Sequence, residues 1–278
     1  MLIGTIFYEG HDIVTDWRKG IFDEENAKKK LEKLKSLHEE PGNPVVLDIF
    51  GGTPESLIRY VDFVAENLDF PFLMDSADPK TLMATTKYVV ETGLADRAVY
   101  NSLNYKTSQK EIEFLQEIRP NAVIVSATNI VNPTAEGRVE AVVGKDEELG
   151  LLKLARRIGF TKILIDVSMI DAPDVGPASE AIYRLKDLTG LPTDVGSTNF
   201  IELWMRGKRL DKRLRQICRA GGILFPVPLG ADFILFGPVE WAEDIFNLCS
   251  LYNAFMGYAA RLRGVNLPPG HPLTKVMA

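Results

Sequence analysis

The sequence predicts an α/β fold of the (β/α)8 TIM-barrel class, as a single domain over residues 1–278. Short apolar segments alternate with amphipathic helical segments about eight times, which is the pattern of a strand-helix repeat. Most apolar segments are runs of Val, Ile and Leu with little alternation, as expected for parallel strands buried on both faces. The length of 278 residues is also usual for one such barrel.

The predicted strands begin with Leu2–Tyr8 and Pro44–Asp48, and Asp23 caps the helix that lies between them up to about Glu40. Proline stands at the first helical position after the caps Thr53 and Asp78. The remaining strands are predicted at Pro71–Ser76, Arg97–Asn101, Ala122–Ser126, Lys162–Val167, Pro192–Val195 and Phe233–Phe236.

Several connections are predicted to be irregular. The segment Ala127–Gly144 is expected to be a long functional loop, followed by a helix from about Asp146 to Ile158. After the seventh strand the next helical stretch is expected at about Leu210–Arg219, and the tail from Pro268 as an extended cap or oligomer contact. A doubly wound sheet is the alternative fold, but no glycine fingerprint follows the first strand.

Composition and charge exclude some classes of function. The net charge of −6 argues against nucleic acid as a partner, because binding to its backbone needs a basic face. The two cysteines form neither a disulfide framework nor a zinc spacing. The N-terminus lacks a basic region followed by a long apolar stretch, and no segment has the composition of a membrane span. We therefore expect a cytoplasmic protein.

Small polar residues follow the predicted strands, where a barrel keeps its chemistry. With only three histidines in the chain, a metal site built on imidazole is disfavoured. No G-x-S-x-G or P-loop pattern occurs, and no lysine ends a strand. The strand-end residues expected to share one pocket are Asp48, Asp75, Asn101, Ser126, Asp166 and Asn199.

Such a ring of carboxylates and amides suits a flat heterocycle that has polar groups along one edge. A carboxylate can accept two N–H bonds from an aminopyrimidinone, and an amide can both donate and accept. The alternative is that each residue only caps the following helix or satisfies loop amides.

The motifs of the chain also resemble a known family, the pterin-dependent methyltransferases that move a methyl group between a corrinoid and a reduced pterin. The resemblance is greatest to the branch that contains the H subunit of tetrahydromethanopterin S-methyltransferase and the bacterial methylcorrinoid:tetrahydrofolate methyltransferases. It covers nearly the whole chain. The motifs that carry it are Leu2–Tyr8, Lys19–Asp23, Gly42–Pro44, Pro71–Ser76, Gly93–Arg97, Tyr100–Ser102 and Asp166–Ser168.

The resemblance implies roles for individual residues. Asp75, Asn101 and Asp166 match the family positions that hold the pterin edge, and Asn199, in the segment Gly196–Asn199, matches an asparagine beside the reactive N5. Asn199 is therefore the expected catalytic residue. The other residues expected to contact the pterin are Asp48, Ser126, Ser168 and Gly196.

The implied reaction is an SN2-type transfer of methyl from methylcob(III)alamin, carried on a separate corrinoid protein, to N5 of tetrahydrofolate. Tetrahydrofolate is the expected acceptor because the chain starts on its first strand, whereas the archaeal protein carries an additional N-terminal segment. A homodimer is expected from the family. The alternatives are a tetrahydromethanopterin-specific component of a larger complex, and a condensing enzyme of the dihydropteroate synthase type. The latter needs cations that grip a diphosphate, for which Arg206, Lys208 and Arg209 are the candidates.

Overall fold

Parallel strands form the centre of the fold in the computed structural model, which describes residues 1–39, 43–145, 149–169 and 174–276. The strands are β1 (Leu2–Ile6), β2 (Val14–Asp16), β3 (Ile21–Phe22), β4 (Val45–Phe50), β5 (Phe72–Asp75), β6 (Ala98–Leu103), β7 (Ala122–Ser126), β8 (Lys162–Asp166), β9 (Thr193–Asp194) and β10 (Ile234–Pro238). The helices are α1 (Glu24–Glu39), α2 (Pro54–Asn67), α3 (Pro79–Glu91), α4 (Gln109–Glu117), α5 (Ala135–Val143), α6 (Leu151–Ile158), α7 (Val175–Thr189), α8 (Thr198–Met205), α9 (Lys212–Ile223), α10 (Ala242–Leu262) and α11 (Pro272–Val276).

Eight strands form one parallel sheet in the order β10-β1-β4-β5-β6-β7-β8-β9, and β2 and β3 form a separate antiparallel hairpin. The two ends of the sheet meet through single hydrogen bonds. Asp232 N–H donates to the Thr193 carbonyl oxygen over 2.9 Å, and Leu235 N–H donates to the Asp194 carboxylate over 2.9 Å. The sheet is therefore a nearly closed barrel, and the predicted fold class is confirmed.

The barrel interior consists of an apolar layer with a polar layer above it. Ile3, Val46, Leu73, Val99 and Ile124 form the apolar layer together with Phe233. Because side chains alternate across a strand, the residue two positions later points inward one layer nearer the carboxyl end. These later residues are Thr5, Asp48, Asp75, Asn101 and Ser126.

Local sequence signals explain where several helices begin. Thr53 and Ser108 each form a capping box at the start of α2 and α4, and the Asp78 carboxylate accepts the Lys80 N–H at the start of α3. Pro54 and Pro79 occupy the first helical position, where a missing N–H costs nothing. These predicted helix starts are therefore confirmed.

Three segments differ from the sequence prediction. The expected loop Ala127–Gly144 contains α5, which begins after the cap Thr134, and α8 begins directly at Thr198 where no helix was predicted. The tail forms the short helix α11 instead of an extended cap. The predicted helix start at Asp146 and the motif residue Gly42 lie outside the described residues.

The longest described helix, α10, covers 21 residues and packs one face on the barrel. Ile245, Phe246 and Cys249 are buried on that face, whereas Phe255 and Leu262 on the outer face are 61% and 72% exposed. Across the described ranges, no helix combines the length and the apolar character needed to cross a bilayer.

Candidate functional site

A cavity of about 670 Å³ opens at the carboxyl ends of the barrel strands. Its volume is typical of small-molecule sites, and it lies on the face where barrel enzymes keep their chemistry. Seven of the eight residues predicted for the site line it. They are Asp48, Asp75, Asn101, Asp166, Ser168, Gly196 and Asn199.

Ser126 is the predicted site residue that does not line this cavity. Its hydroxyl lies 2.7 Å from the Ser168 hydroxyl and 2.9 Å from the Thr128 hydroxyl, and both of those residues do line the cavity. Ser126 instead lines an adjoining cavity of about 480 Å³, which shares Asp75 and Asn101 with the first. Ser126 therefore contacts the site through the hydroxyl groups of Ser168 and Thr128.

Asp48 is a buried acid with one unused oxygen. The Thr5 hydroxyl donates to Oδ2 over 2.8 Å, whereas Oδ1 has no partner within the described structure. Burial raises the pKa of Asp48 to about 6, although the hydrogen bond from Thr5 opposes the rise. The free oxygen can accept a ligand N–H, or donate when the acid is protonated.

Asp75 ends β5 and pairs with Asn101 of β6, which lies two residues before that strand ends at Leu103. Burial, and then the charges of Asp48 and Asp166, raise the pKa of Asp75 well above its usual range. Three acids that face one another cannot all ionise cheaply. The cavity floor is therefore able to hold protons at a pH where an exposed aspartate is ionised.

Asp166 is held by the turn that follows β8. Ser168 adopts a left-handed backbone conformation with φ of 53°, and its N–H donates to Asp166 Oδ1 over 2.8 Å. Burial raises the pKa of Asp166, and N–H groups of Ser168 and Gly196 oppose the rise. Gly196 lines the same cavity.

A buried arginine fixes this turn from behind. Arg138 on α5 is 1% exposed, and its Nε–H donates to the carbonyl oxygens of Val167 and Ser168 over 2.9 and 3.3 Å. Its guanidinium also pairs with Asp174 and donates to Pro133 O. Because α5 lies in the segment predicted as a loop, sequence reasoning missed this support.

Asp194 is a fourth buried acid, and sequence reasoning also missed it. Its side chain is fully buried, Oδ2 accepts the Leu235 N–H, and Oδ1 has no partner among the described residues. Burial raises the pKa of Asp194 well above its usual range, and the Asp166 charge adds to this effect. Asp194 follows no long apolar run, so the strand-end rule could not identify it.

Asn199 lies in the first turn of α8, exposed at the rim of the cavity. Thr198 and Glu202 on the same helix also line the cavity. The amide of Asn199 therefore stands near the entrance, whereas the acids lie on the floor. This separation places Asn199 where the cavity meets solvent.

The cavity walls include aromatic and thioether side chains that were not predicted. Tyr8, Phe50, Met169 and Trp241 contribute flat or polarisable surfaces around the acids. A planar ligand can therefore place its polar edge on the floor and its faces against these walls. Thr5 is the missed residue that a sequence signal could have identified, because it stands two positions after the inward-facing Ile3.

A cluster outside the cavity has metal-ligand residue types but functions as an ion network. His11, Asp12 and Glu240 approach one another, and Lys30 pairs with both acids. Phe7 N–H donates to His11 Nδ1 over 3.0 Å, so the ring proton lies on Nε2 and points to Glu240 at 2.7 Å. Burial alone would raise the Glu240 pKa, but bonds from His11 and Lys30 lower it to about 2. The ring of Tyr8 stacks on His11 with centroids 4.6 Å apart, so the network positions Tyr8 at the cavity.

The raised pKa of Asp48 predicts how stability depends on pH. The folded chain holds the Asp48 proton up to about pH 6, whereas the unfolded chain releases it near about pH 4. Raising the pH through this window therefore destabilises the native state. The Asp48→Asn variant has no titrating group at this position and should not lose this stability. Between the low and the high end of the window, the free energy of unfolding of the variant minus that of wild type should therefore increase by about 1–3 kcal/mol.

Urea unfolding at intervals from about pH 4.5 to about pH 7.5 covers this window and measures the difference. Asp96→Asn, at an exposed position, is the matched control and should run parallel to wild type. Parallel curves for Asp48→Asn and wild type would contradict the prediction.

Solved structures of dihydropteroate synthases share this architecture. The enzyme from Xanthomonas albilineans with 4-aminobenzoic acid aligns with a TM-score of 0.59 and 16% identity, over 84% of this chain and 86% of the other. The enzyme from Coxiella burnetii in complex with pteroic acid aligns with a TM-score of 0.58 and 15% identity, over 90% and 92%. At these identities the likeness shows the barrel fold alone.

Sequence relatives show the family. The H subunit of the putative methyltransferase mtx of Methanosarcina barkeri is 37% identical over 280 residues, covering 98% of this chain and 90% of the relative. The H subunit of the tetrahydromethanopterin S-methyltransferase of Methanocaldococcus jannaschii is 34% identical over 291 residues, covering 99% and 91%. The family model of the tetrahydromethanopterin S-methyltransferase MtrH subunit matches residues 1–267. Since these matches span nearly the whole chain, it belongs to the MtrH family of methyltransferase subunits.

Proposed function

We propose that this chain transfers a methyl group between N5 of a reduced pterin of the tetrahydromethanopterin type and the cobalt of a corrinoid that a partner protein carries. The observation that carries the proposal is the joint placement of Asp75, Asn101 and Asp166 on the floor of one cavity with Asn199 at its rim. The relatives' names support tetrahydromethanopterin. They favour it over tetrahydrofolate, the acceptor expected from the sequence.

The floor residues suit the polar edge of a pterin. An aminopyrimidinone edge presents N–H donors beside a carbonyl acceptor, so its partners must both accept and donate. Asp75 and Asp166 accept when ionised and donate when protonated, and the Asn101 amide does both. Burial strengthens these bonds, because water does not compete for them. The pterin would lie with N5 towards the rim.

The chemical step is an in-line displacement at the methyl carbon. The N5 lone pair forms the new bond to carbon, the carbon–cobalt bond breaks, and its electron pair stays on cobalt, which passes from Co(III) to Co(I). The proton that N5 carried is released to solvent or to a cavity acid. In the opposite direction N5 is a poor leaving group, and an amide hydrogen bond from Asn199 that strengthens as charge develops would lower the barrier. Holding both reactants in line supplies a further part of the rate.

The position of the cavity rim also indicates how the corrinoid partner would bind. The reacting methyl group must approach the rim of the cavity, so the rim has to be accessible to a corrinoid protein. The names of the relatives describe subunits, which supports a role for this chain within a larger complex. We further propose that residues 1–278 form one pterin-binding methyltransferase domain.

A pterin-condensing reaction of the dihydropteroate synthase type is less well supported. That reaction expels diphosphate, which requires cations at the reacting end of the pterin. Neither lysine nor arginine is among the described residues that line the cavity. Arg206, Lys208 and Arg209 are exposed and follow α8 outside the lining. This arrangement favours methyl transfer.

An anaerobic absorbance assay tests the proposed reaction. Protein is mixed with methylcobalamin and either tetrahydromethanopterin or tetrahydrofolate, and the conversion of methyl-Co(III) to Co(I) is followed. We expect protein-dependent conversion, at least about tenfold faster with tetrahydromethanopterin, because its family position predicts that acceptor. Faster conversion with tetrahydrofolate would restore the acceptor expected from the sequence. No pterin-dependent conversion with free methylcobalamin or with a methylated corrinoid protein would contradict methyl transfer.

Two variants separate binding from the chemical step. Asn199→Ala should keep the pterin Kd within about tenfold but slow single-turnover transfer by about 10²–10³-fold, since its bond matters most in the transition state. Asp75→Ala should weaken pterin binding by about 1.5–3 kcal/mol, because it leaves an N–H of the ligand unpaired. Anaerobic titration gives Kd, and stopped-flow absorbance gives the rate.

Asn247→Ala on the outer part of α10 is the matched control and should change neither quantity. Loss of binding in Asn199→Ala at an unchanged transfer rate would contradict the roles assigned to these residues.

We also propose that two copies pair through α10. Exposed or half-buried apolar residues recur along its outer face at alternating intervals of three and four, the spacing of a coiled-coil seam. They are Leu248, Leu251, Phe255, Tyr258 and Leu262. The first turn of α10 is acidic and the last is basic, so an antiparallel pair would place opposite charges together.

Sedimentation velocity tests this pairing. Wild type should form a dimer at micromolar concentration, and Phe255→Lys should weaken the dimer by at least about tenfold, because a charge then lies at the centre of the seam. Tyr183→Lys replaces another exposed aromatic residue, on α7, and should leave the dimer unchanged. A monomeric wild type, or an equal effect of both substitutions, would contradict the proposal.

A further inference from the structure

A groove with basic side chains lies beside the candidate active site, between α9 and the start of α10. We call it the basic groove; its volume is about 480 Å³, and Lys212, Arg215, Arg219 and Trp241 line it with Glu240 and Asp244. Lys212, Arg215 and Arg219 recur at intervals of three and four residues, so they share one face of α9. The groove is therefore built from one helix face and the neighbouring helix start.

Its lining carries three basic and two acidic side chains, and two of the basic ones have no ion-pair partner within the described structure. Glu240 is occupied by His11 and Lys30, and the Asp244 carboxylate accepts the Gln216 amide. Among the described ion pairs, none involves Lys212 or Arg215, and Arg215 donates only to backbone carbonyl oxygens of Lys208 and Leu210. Two cations in the groove thus lack a counter-ion.

The segment around the basic groove, residues 206–215, adds to the positive electrostatic potential there. Residues 206–215 contain six basic side chains and one acidic side chain, although the whole chain has a net charge of −6. The acidic one, Asp211, caps α9 by accepting the Leu214 N–H. The start of α9 also presents the positive end of its helix dipole. An anionic group would therefore be attracted to this edge of the cavity rim.

Trp241 connects the groove with the cavity that we assign to the pterin. Its ring lines both. The Arg219 guanidinium lies over that ring at 4.0 Å from the centroid, and its Nε is 2.6 Å from an oxygen of Glu202, which lines the cavity. The Trp241–Arg219 pair therefore lies where the linings of the two spaces meet. A ligand that leaves the cavity here passes over the indole into the groove.

We propose that the basic groove binds the anionic tail of the pterin substrate, so that one ligand spans both spaces. This inference rests on the proposed function. Reduced pterin coenzymes carry their acidic groups at the end remote from the ring: carboxylates in the folate type, and carboxylates with phosphate in the methanopterin type. Arg215 offers a planar donor pair to such a group and Lys212 a compact charge. In this proposal the floor of the cavity binds the pterin ring, and the basic groove binds the anionic tail.

Equilibrium binding with and without the tail tests the inference. The probes are 6-methyltetrahydropterin, which lacks a tail, tetrahydrofolate and tetrahydromethanopterin, each titrated anaerobically into the full chain by calorimetry. We expect wild type to bind at least one tailed probe about tenfold or more tightly than the tailless one, since two charge-assisted contacts are gained. A tighter tetrahydromethanopterin complex would identify phosphate as the preferred group, and a tighter tetrahydrofolate complex would identify carboxylate.

Two double variants test which basic residues cause the tighter binding of the tailed probes. The double variant Lys212→Ala/Arg215→Ala should lose most of the advantage of the tailed probe, while its Kd for 6-methyltetrahydropterin stays within about twofold of wild type. Lys208→Ala/Arg209→Ala removes the same charge from the same segment but outside the groove lining, and should keep the advantage. Thermal unfolding verifies that both variants fold.

Three results would overturn the inference. Equal binding of tailed and tailless probes by wild type would show that the tail makes no contact, while leaving the proposed function intact. Equal losses in both double variants would indicate general attraction instead of a site. Unchanged pterin binding in the double variant, with slower transfer only from a methylated corrinoid protein, would make the groove a docking surface for the partner. Failure of every probe to bind wild type would instead reject the proposed function itself.

Discussion

The burial of four carboxyl groups at one end of the barrel is the constraint on which the rest of the site depends. Asp48, Asp75, Asp166 and Asp194 share a small volume, and an ionised acid taken out of water costs several kcal/mol unless it is bonded or protonated. The fold lowers this free-energy cost in two ways. Backbone N–H groups bond to Asp166 and Asp194, and burial raises the pKa of all four acids, so that they keep protons to a higher pH than an exposed aspartate does. The closing bond between β9 and β10 is itself made to Asp194.

This arrangement gives the cavity a defined polarity. The turn that holds Asp166 requires the left-handed Ser168, and it rests on Arg138, which lies 36 residues from its ion-pair partner Asp174 in sequence. A ligand edge that offers N–H groups would satisfy the free oxygen of Asp48 and lower the repulsion among the acids. Binding and the relief of an electrostatic cost are therefore the same event at this site.

The polar residues that end an apolar run were predictable because one rule governs them, although β4 and β6 continue two residues beyond the strand ends predicted at Asp48 and Asn101. In β4, β5, β6 and β8 an apolar run ends in Asp or Asn, and alternation turns that residue into the barrel, so Asp48, Asp75, Asn101 and Asp166 could be identified from the sequence. The rule fails for Asp194, since β9 has only two residues and leaves no apolar run to detect. The helices α5 and α8 were missed for another reason. Each has fewer than ten residues, and α8 begins in the Gly-Ser-Thr-Asn segment that is typical of a loop.

The family could be identified from motifs, and three of those motifs, Pro71–Ser76, Tyr100–Ser102 and Asp166–Ser168, include residues that line the cavity. The acceptor could not be identified from the sequence, since the acids that we propose to bind the ring would meet an edge that folate and methanopterin coenzymes share. The position of the first residue carries no information about the ligand. The placement of charged side chains is a more physical guide to the ligand than the position of the first residue. Acids lie on the cavity floor and unpaired cations lie outside the rim, so a ligand with N–H groups at one end and anionic groups at the other has only one favourable orientation. In that orientation the reactive middle of the proposed ligand would face Asn199 and the open rim.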